Sequence, residues 1–217
     1  KAIRRQRQMC IRDRAWASKD KAKLKQSLEA VLRITLVVTI PSGIGLSVLS
    51  EPILGLIYSS PNVSNEVEIA SKVLTTMGIA IIFVGTATPI CSMLQAVGRV
   101  DLPVKLMAIG VAVKIITNYV LVGIPEINIQ GAPIGTFVCY LFISVVGVFF
   151  LCRHTKIVPN FMSILVKPLL ASLVCGVGAF VSYHLFNYFM SGKIATILAV
   201  IVAIIAVSYT HLRAHET

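Results

Sequence analysis

Long apolar runs separated by short polar connections dominate this chain. Six windows of the sequence each contain about 20 mainly apolar residues, the number that a helix needs to cross a bilayer. None of them alternates apolar and polar residues as the strand of a membrane barrel does. The pattern therefore predicts an all-α fold, a polytopic transmembrane bundle of about six spanning helices. The predicted spans cover residues 31–58, 69–97, 102–122, 131–152, 165–189 and 193–207.

The positions of lysine and arginine predict how the bundle is oriented. Arg99 lies in the connection after the second span, Lys105 lies at the start of the third span, and Arg153 and Lys156 follow the fourth. The connections after the first, third and fifth spans contain neither lysine nor arginine. Positive flanks stay in the cytoplasm, so we predict that both ends of the bundle are cytoplasmic. Residues 18–30 form a charged cytoplasmic connector before the first span. This connector either extends the first helix or lies as an amphipathic segment on the lipid surface.

Composition supports the membrane class. The chain is 56% hydrophobic and 13% charged, whereas soluble proteins are about 25% charged. The formal net charge of +11 does not indicate a nucleic-acid partner, because seven of the 20 lysines and arginines lie in two end segments, residues 1–15 and 208–217. Both segments resemble translated adapter read-through from sequencing, and we interpret them as tails foreign to the fold. We therefore expect the gene product to be longer than this chain.

No residue pattern predicts a catalytic centre, a cofactor or a metal. The sequence has no Gly-rich phosphate loop, no H-E-x-x-H motif and no G-x-S-x-G motif. The five cysteines are scattered without C-x-x-C spacing, which argues against a zinc site or a disulfide framework. We predict a protein that is not an enzyme.

Lys114 breaks the apolar pattern near the middle of the third span. A charge at that depth costs from about 2.5 kcal/mol upward and usually faces a bundle interior or a wet cavity. Asn118 follows four residues later, on the same face of the helix. Either Lys114 faces a hydrated cavity and attracts an anionic substrate, or it pairs with a carboxylate on a helix outside this chain.

A second polar stripe follows helical spacing along the second span. Thr88, Ser92 and Gln95 recur at intervals of three to four residues, with Pro89 beside them. Proline frees a backbone carbonyl and kinks a helix, which transporters tolerate where the freed group faces protein or a cavity. The stripe therefore either lines a cavity or packs against another helix.

Glu51 is the carboxylate that falls inside a predicted span, immediately before Pro52. One interpretation makes it a titrating group that couples transport to protons or cations. The other places it at the outer interface, where a helix break at Pro52 brings it close to water.

Two stretches of sequence carry information in their specific residues and not only in their hydropathy. The runs IPSGIGLSVLSEPILGLIY from Ile40 and LQAVGRVDLPVKLMAIGVAVKIITNYVLVGIPEINIQGAPIGT from Leu94 resemble polysaccharide-biosynthesis membrane proteins of the stage V sporulation protein B type. That group belongs to the multidrug/oligosaccharidyl-lipid/polysaccharide exporter superfamily, which also includes the lipid II flippase. The resemblance covers about residues 18–206.

This resemblance implies a transporter with two helical lobes around a central cavity, working by alternating access in the bacterial plasma membrane. The chain would hold the later part of the C-terminal lobe plus extra helices, and would lack the N-terminal lobe. The implied cargo is an undecaprenyl-pyrophosphate-linked saccharide or peptidoglycan precursor, moved between leaflets of the bilayer. The candidate cavity residues are then Lys114, Asn118, Gln95, Ser92 and Thr88.

Two other functions remain open on the sequence. A cation-coupled multidrug efflux transporter would use an acidic residue, for which Glu51 is the candidate. A non-transporting scaffold for cell-wall or sporulation enzymes would not need the polar stripes. Because the residue near the midplane is basic, the sequence favours an anionic lipid-linked cargo over efflux.

Overall fold

The computed structural model describes residues 21–58, 64–160, 162–189, 196–198 and 200–201. The regular elements among these residues are helical, which confirms the predicted all-α fold. A 3-10 turn precedes the fifth α-helix and a π-helical segment precedes the sixth. The elements are α1 (Lys21–Val48), α2 (Ser50–Ile57), α3 (Ser64–Ala96), α4 (Asp101–Val122), the 3-10 turn (Asn128–Gln130), α5 (Gly131–Thr155), the π segment (Met162–Val166) and α6 (Lys167–Phe189).

Four helical segments of the described chain are long and apolar enough to cross a membrane. They are Ala22–Val48, Asn65–Ala96, Asp101–Val122 and Asn128–Thr155, and they overlap the first four predicted spans. Helix α6 lies where the fifth span is predicted. The sixth predicted span, residues 193–207, falls mostly outside the described residues. The count of six spans and the cytoplasmic placement of both ends stay predictions.

The first predicted span is divided between two helices. Helix α1 begins at Lys21, ten residues before the predicted start, and ends at Val48. Pro52 has no N–H to donate to the Val48 carbonyl four residues earlier, so the helix breaks there and α2 starts afresh at Ser50.

The connector of residues 18–30 is described from Lys21 onward and belongs to α1. Leu24 and Leu28 are 6% and 3% exposed and begin a buried stripe that repeats every four residues. These leucines pack into the bundle, so the described part of the connector does not offer them to a lipid surface. The stripe consists of Leu24, Leu28, Leu32, Leu36 and Ile40.

The long helices pack in sequence from one edge of the bundle to the other. Helix α6 contacts α1, α1 contacts α3, α3 contacts α5, and α5 contacts α4. Helix α4 is therefore an edge helix whose main neighbour is α5, with a smaller contact to α3. The order matters for the site, because it leaves α4 and one face of α3 uncovered by the described helices.

The largest apolar core lies at the end of the bundle that carries the basic connections. It joins the start of α1, the end of α3, the start of α4 and the end of α5. Leu94 and Leu151 are 0% and 1% exposed at its centre. Burial here depends on ordinary aliphatic packing, and the core holds together the helix ends predicted to be cytoplasmic.

Helices α1 and α3 cross closely through small and hydroxylated residues. A Cβ atom added at Gly43 would meet the carbonyl oxygen of Gly78, and one added at Gly78 would lie 2.7 Å from the Gly43 carbonyl oxygen. One turn away, the Ser47 hydroxyl donates to the Thr75 carbonyl at 2.8 Å. The hydroxyls of Ser50 and Thr75 are 2.7 Å apart. Such small residues let membrane helices approach and form hydrogen bonds in the absence of a hydrophobic driving force.

One long-range contact ties the connection after α5 to the start of α1. The backbone N–H of Asn160 donates to the Glu29 carboxylate at 2.9 Å. Ile157 and Ile164, on either side of Asn160, are buried in the core described above. Glu29 therefore fixes the chain between α5 and α6 against α1.

We expect Glu29→Ala to lower the free energy of unfolding of the full-length protein by about 1 kcal/mol, because this hydrogen bond to a carboxylate is exposed to solvent. Glu29→Gln keeps an acceptor oxygen and should retain most of that stability. Thermal unfolding in detergent measures both variants. Equal losses in Glu29→Ala and Glu29→Gln would show that the charge, rather than the hydrogen bond, matters.

Candidate functional site

Lys114 and Asn118 lie on the face of α4 that meets α5. Leu102, Leu106 and Gly110 are buried on this face, and Lys114 and Asn118 continue it at four-residue spacing. The opposite face of α4 is exposed and almost entirely apolar, as expected of a surface toward lipid. The polar pair therefore belongs to the helix contact and does not point directly away from the bundle.

A glycine on α5 makes room for this pair. A Cβ atom at Gly135 would meet Asn118 Oδ1 and would lie 3.4 Å from the Lys114 carbonyl oxygen. Asn118 Oδ1 is buried, and no donor within the described residues reaches it. A buried amide oxygen without a donor is costly, so this atom marks a place where a water or a ligand donor would be stabilised.

The Lys114 side chain is half-buried. The ion pairs between described residues involve Lys25, Lys72, Arg99 and Lys105, and none includes Lys114. The part of the chain that the structure describes thus places a cation inside the spanning region without a carboxylate beside it.

The polar stripe on α3 lies on a face that the described helices leave open. Thr88 and Gln95 are exposed and Ser92 is half-buried, with its hydroxyl donating to the Thr88 carbonyl at 3.0 Å. Helix α3 continues through Pro89. Gly85, one turn before Thr88, lies at the contact with Thr39 of α1.

One buried cluster lies between the two polar patches. Ala87 and Cys91 of α3 pack with Cys139 and Ile143 of α5. On α3, these two residues directly precede Thr88 and Ser92. On α5, the Cys139 sulfur would lie 3.2 Å from a Cβ atom at Gly110, which is one helical turn before Lys114. The patches are therefore on either side of the same small cluster, although the structure records no direct contact between them among the described residues.

The sequence of this chain is similar to that of a known family of membrane proteins. The family model described as lipid II flippase MurJ matches residues 14–205. The chain belongs to the lipid II flippase MurJ family. The lipid II flippase MurJ of Bacillus subtilis (strain 168) is 26% identical over 187 residues, which cover 84% of this chain. The chain spans 33% of the length of that relative.

Membership of the MurJ family confirms the predicted superfamily. It also confirms a multi-pass protein of the bacterial inner membrane, in agreement with the apolar helices. The predicted link to sporulation stays a prediction. The family match includes the whole connector and all the described helices, whereas most of residues 1–15 and all of residues 208–217 lie outside it.

Glu51 lies apart from both polar patches. It is exposed in the first turn of α2, close to the helix break. A carboxylate in a first turn is favourable because it faces the positive end of the helix dipole. Its role in coupling transport to cations stays a prediction for this MurJ family member.

Two residues of α5 take part in this contact with α4. The sequence predicts that the small residues Gly131 and Gly135 permit close helix contact, and the structure places Gly135 against Asn118. The sequence does not distinguish Cys139 from the other scattered cysteines, whereas in the structure its sulfur would lie 3.2 Å from a Cβ atom at Gly110 of α4. Helical spacing relates residues of one helix and does not reveal which residues of the next helix oppose them.

Proposed function

We propose that this chain is the C-terminal part of a flippase that moves an undecaprenyl-pyrophosphate-linked saccharide or peptidoglycan precursor across the plasma membrane by alternating access. The family match over residues 14–205 supports a lipid-linked cargo. Because the chain spans a third of the Bacillus subtilis relative, the opposite wall of the cavity is assigned to an N-terminal lobe. The proposed activity is transport, with no covalent chemistry on the cargo.

The observation that carries this proposal is the position of Lys114. At 1.5 Å per residue, Lys114 lies about 20 Å along a helix about 33 Å long. A pyrophosphate group cannot cross about 30 Å of hydrocarbon unless polar or charged groups of the protein replace the water around it. A fixed ammonium at that depth supplies part of the replacement, while the polyprenyl tail stays in the lipid.

Asn118, Thr88, Ser92 and Gln95 complete the proposed site. Their amide and hydroxyl groups donate and accept hydrogen bonds, which suits phosphate oxygens and sugar hydroxyls. The exposed positions of Thr88 and Gln95 support a role toward a cavity rather than in packing between the described helices.

Lys114→Ala in the full-length protein tests the role of the ammonium. A hydrogen bond to a charged group contributes about 1.5–3 kcal/mol, so we expect a flipping rate lower by about ten- to 150-fold. Lys114→Arg keeps the charge and should retain most of the activity. Translocation of a labelled undecaprenyl-pyrophosphate lipid in proteoliposomes gives the rate.

Lys105→Ala is the matched control on the same helix. Lys105 is exposed near the start of α4 and pairs with Asp101 at 3.3 Å, so its loss should leave the rate nearly unchanged. Wild-type flipping by a stably folded Lys114→Ala protein would rule out Lys114 as a substrate-binding residue. A rate that falls equally in Lys105→Ala would indicate a general effect of positive charge.

A further inference from the structure

An apolar groove of about 460 Å³ lies at the end of the bundle opposite the basic connections. We call it the outer groove, since the charge pattern predicts that this end lies outside the cytoplasm. It is bounded by α2, the first turns of α3 and the 3-10 turn before α5. Its lining is aliphatic except for one carboxylate, and includes Leu54, Glu66, Ile69, Leu74, Met77 and Ile129.

The outer groove begins at the membrane surface and runs into the bilayer. Helix α3 has 33 residues, which makes it about 50 Å long and about 20 Å longer than the hydrocarbon layer is thick. Its groove residues extend from Glu66, in the first turn, to Met77. Glu66 therefore lies at the level of the headgroups or beyond, and Met77 lies deeper, toward the acyl chains.

Charge distinguishes Glu66 from its neighbour on α3. Glu68 pairs with Lys72 at 2.8 Å and does not line the groove. The ion pairs between described residues do not include Glu66, which is exposed at the mouth of the groove. Exposed carboxylates at Glu51 and Glu126 add to the negative charge of this end. An anionic headgroup is disfavoured here, and an ammonium group is attracted.

We propose that the outer groove binds an acyl chain of an outer-leaflet phospholipid whose headgroup carries a primary amine. The acyl chain of this lipid packs along Ile69, Leu74 and Met77, and the ammonium group of its headgroup lies beside the Glu66 carboxylate. This site is separate from Lys114, and lipid binding at it does not depend on whether the protein flips a lipid-linked saccharide.

Native mass spectrometry of the full-length protein tests the site. The dissociation constant of phosphatidylethanolamine is compared with that of phosphatidylglycerol carrying the same acyl chains. We expect phosphatidylethanolamine to bind about 1.5- to fivefold more tightly, the range of an exposed ion pair. Glu66→Gln should abolish this preference, whereas Glu68→Gln, two residues away and outside the groove, should keep it.

Leu74→Trp tests the acyl-chain part of the groove, with Ala70→Leu as a second variant that fills the same space. Both variants should weaken the binding of phosphatidylethanolamine and of phosphatidylglycerol to the same extent. Equal affinity of the wild-type protein for both lipids, or a preference that persists in Glu66→Gln, would overturn the headgroup assignment. Unchanged lipid affinity in both filling variants would overturn the location. If the protein binds dodecylamine but does not bind phosphatidylethanolamine, the groove is a site for free cationic amphiphiles and the phospholipid assignment is wrong.

Discussion

Gly78→Ala is expected to destabilise the full-length protein by about 3 kcal/mol, the upper end of the cost of overpacking. The added methyl group would meet the Ser47 hydroxyl and would lie 2.7 Å from the backbone carbonyl oxygen of Gly43. A side chain can rotate away, but a helix backbone can only move as a whole. The methyl group would therefore separate α1 from α3 and weaken the nearby hydrogen bonds of Thr75.

Gly45→Ala is the matched control, because it makes the same chemical change on α1 where no atom lies within 4 Å of the new Cβ. Alanine is preferred over glycine in a helix by up to about 1 kcal/mol, so this variant should be neutral or slightly stabilised. Thermal unfolding in detergent and the yield of monodisperse protein compare the two. Equal melting temperatures would mean that the α1–α3 crossing is looser than described.

Gly135→Ala is expected to displace the Asn118 side chain from its place against α5, at a cost of about 1 kcal/mol, and to lower the flipping rate. The methyl group would meet Asn118 Oδ1 and would lie 3.0 Å from Asn118 Cγ. The same Cβ atom would lie 3.4 Å from the Lys114 carbonyl oxygen, an ordinary contact, so the backbone of α4 would stay in place.

Removal of the opposing amide tests whether this contact is the cause. In the Asn118→Ala background, Gly135→Ala should cost less than half as much stability, since residues in contact give non-additive effects. Gly178→Ala on α6, where a Cβ meets no atom within 4 Å, controls for the loss of glycine itself. Additive losses in the double variant would show that Gly135 and Asn118 do not oppose each other.

Most of the helix positions could be predicted because hydropathy is a property of the sequence alone. Residues 102–122 and 131–152 are predicted as spans, and the helices run over Asp101–Val122 and Gly131–Thr155. The first span is predicted from residue 31, because the charged connector lowers the mean hydropathy, and the helix begins at Lys21, in agreement with the alternative in which the connector extends it. A stripe of leucines from Leu24 onward extends α1 through the connector.

The candidate site was predictable in part. Lys114 stands out because a charge within an apolar span is costly wherever the helix packs. Its surroundings could not be predicted, since the contact with α5 depends on how two helices cross. Gly135 could be predicted to permit close helix contact, but that Asn118 opposes it is known only from that crossing.

The sequence by itself determined the all-α membrane class, the first four spans and the presence of a cation within the third, because burial in lipid selects apolar residues and penalises charge. Only the tertiary structure decided that Lys114 and Asn118 meet α5, that the stripe from Thr88 to Gln95 stays open, and that Glu66 borders a groove. These relations depend on helix rotation and packing order, which are decided by contacts between residues far apart in the chain.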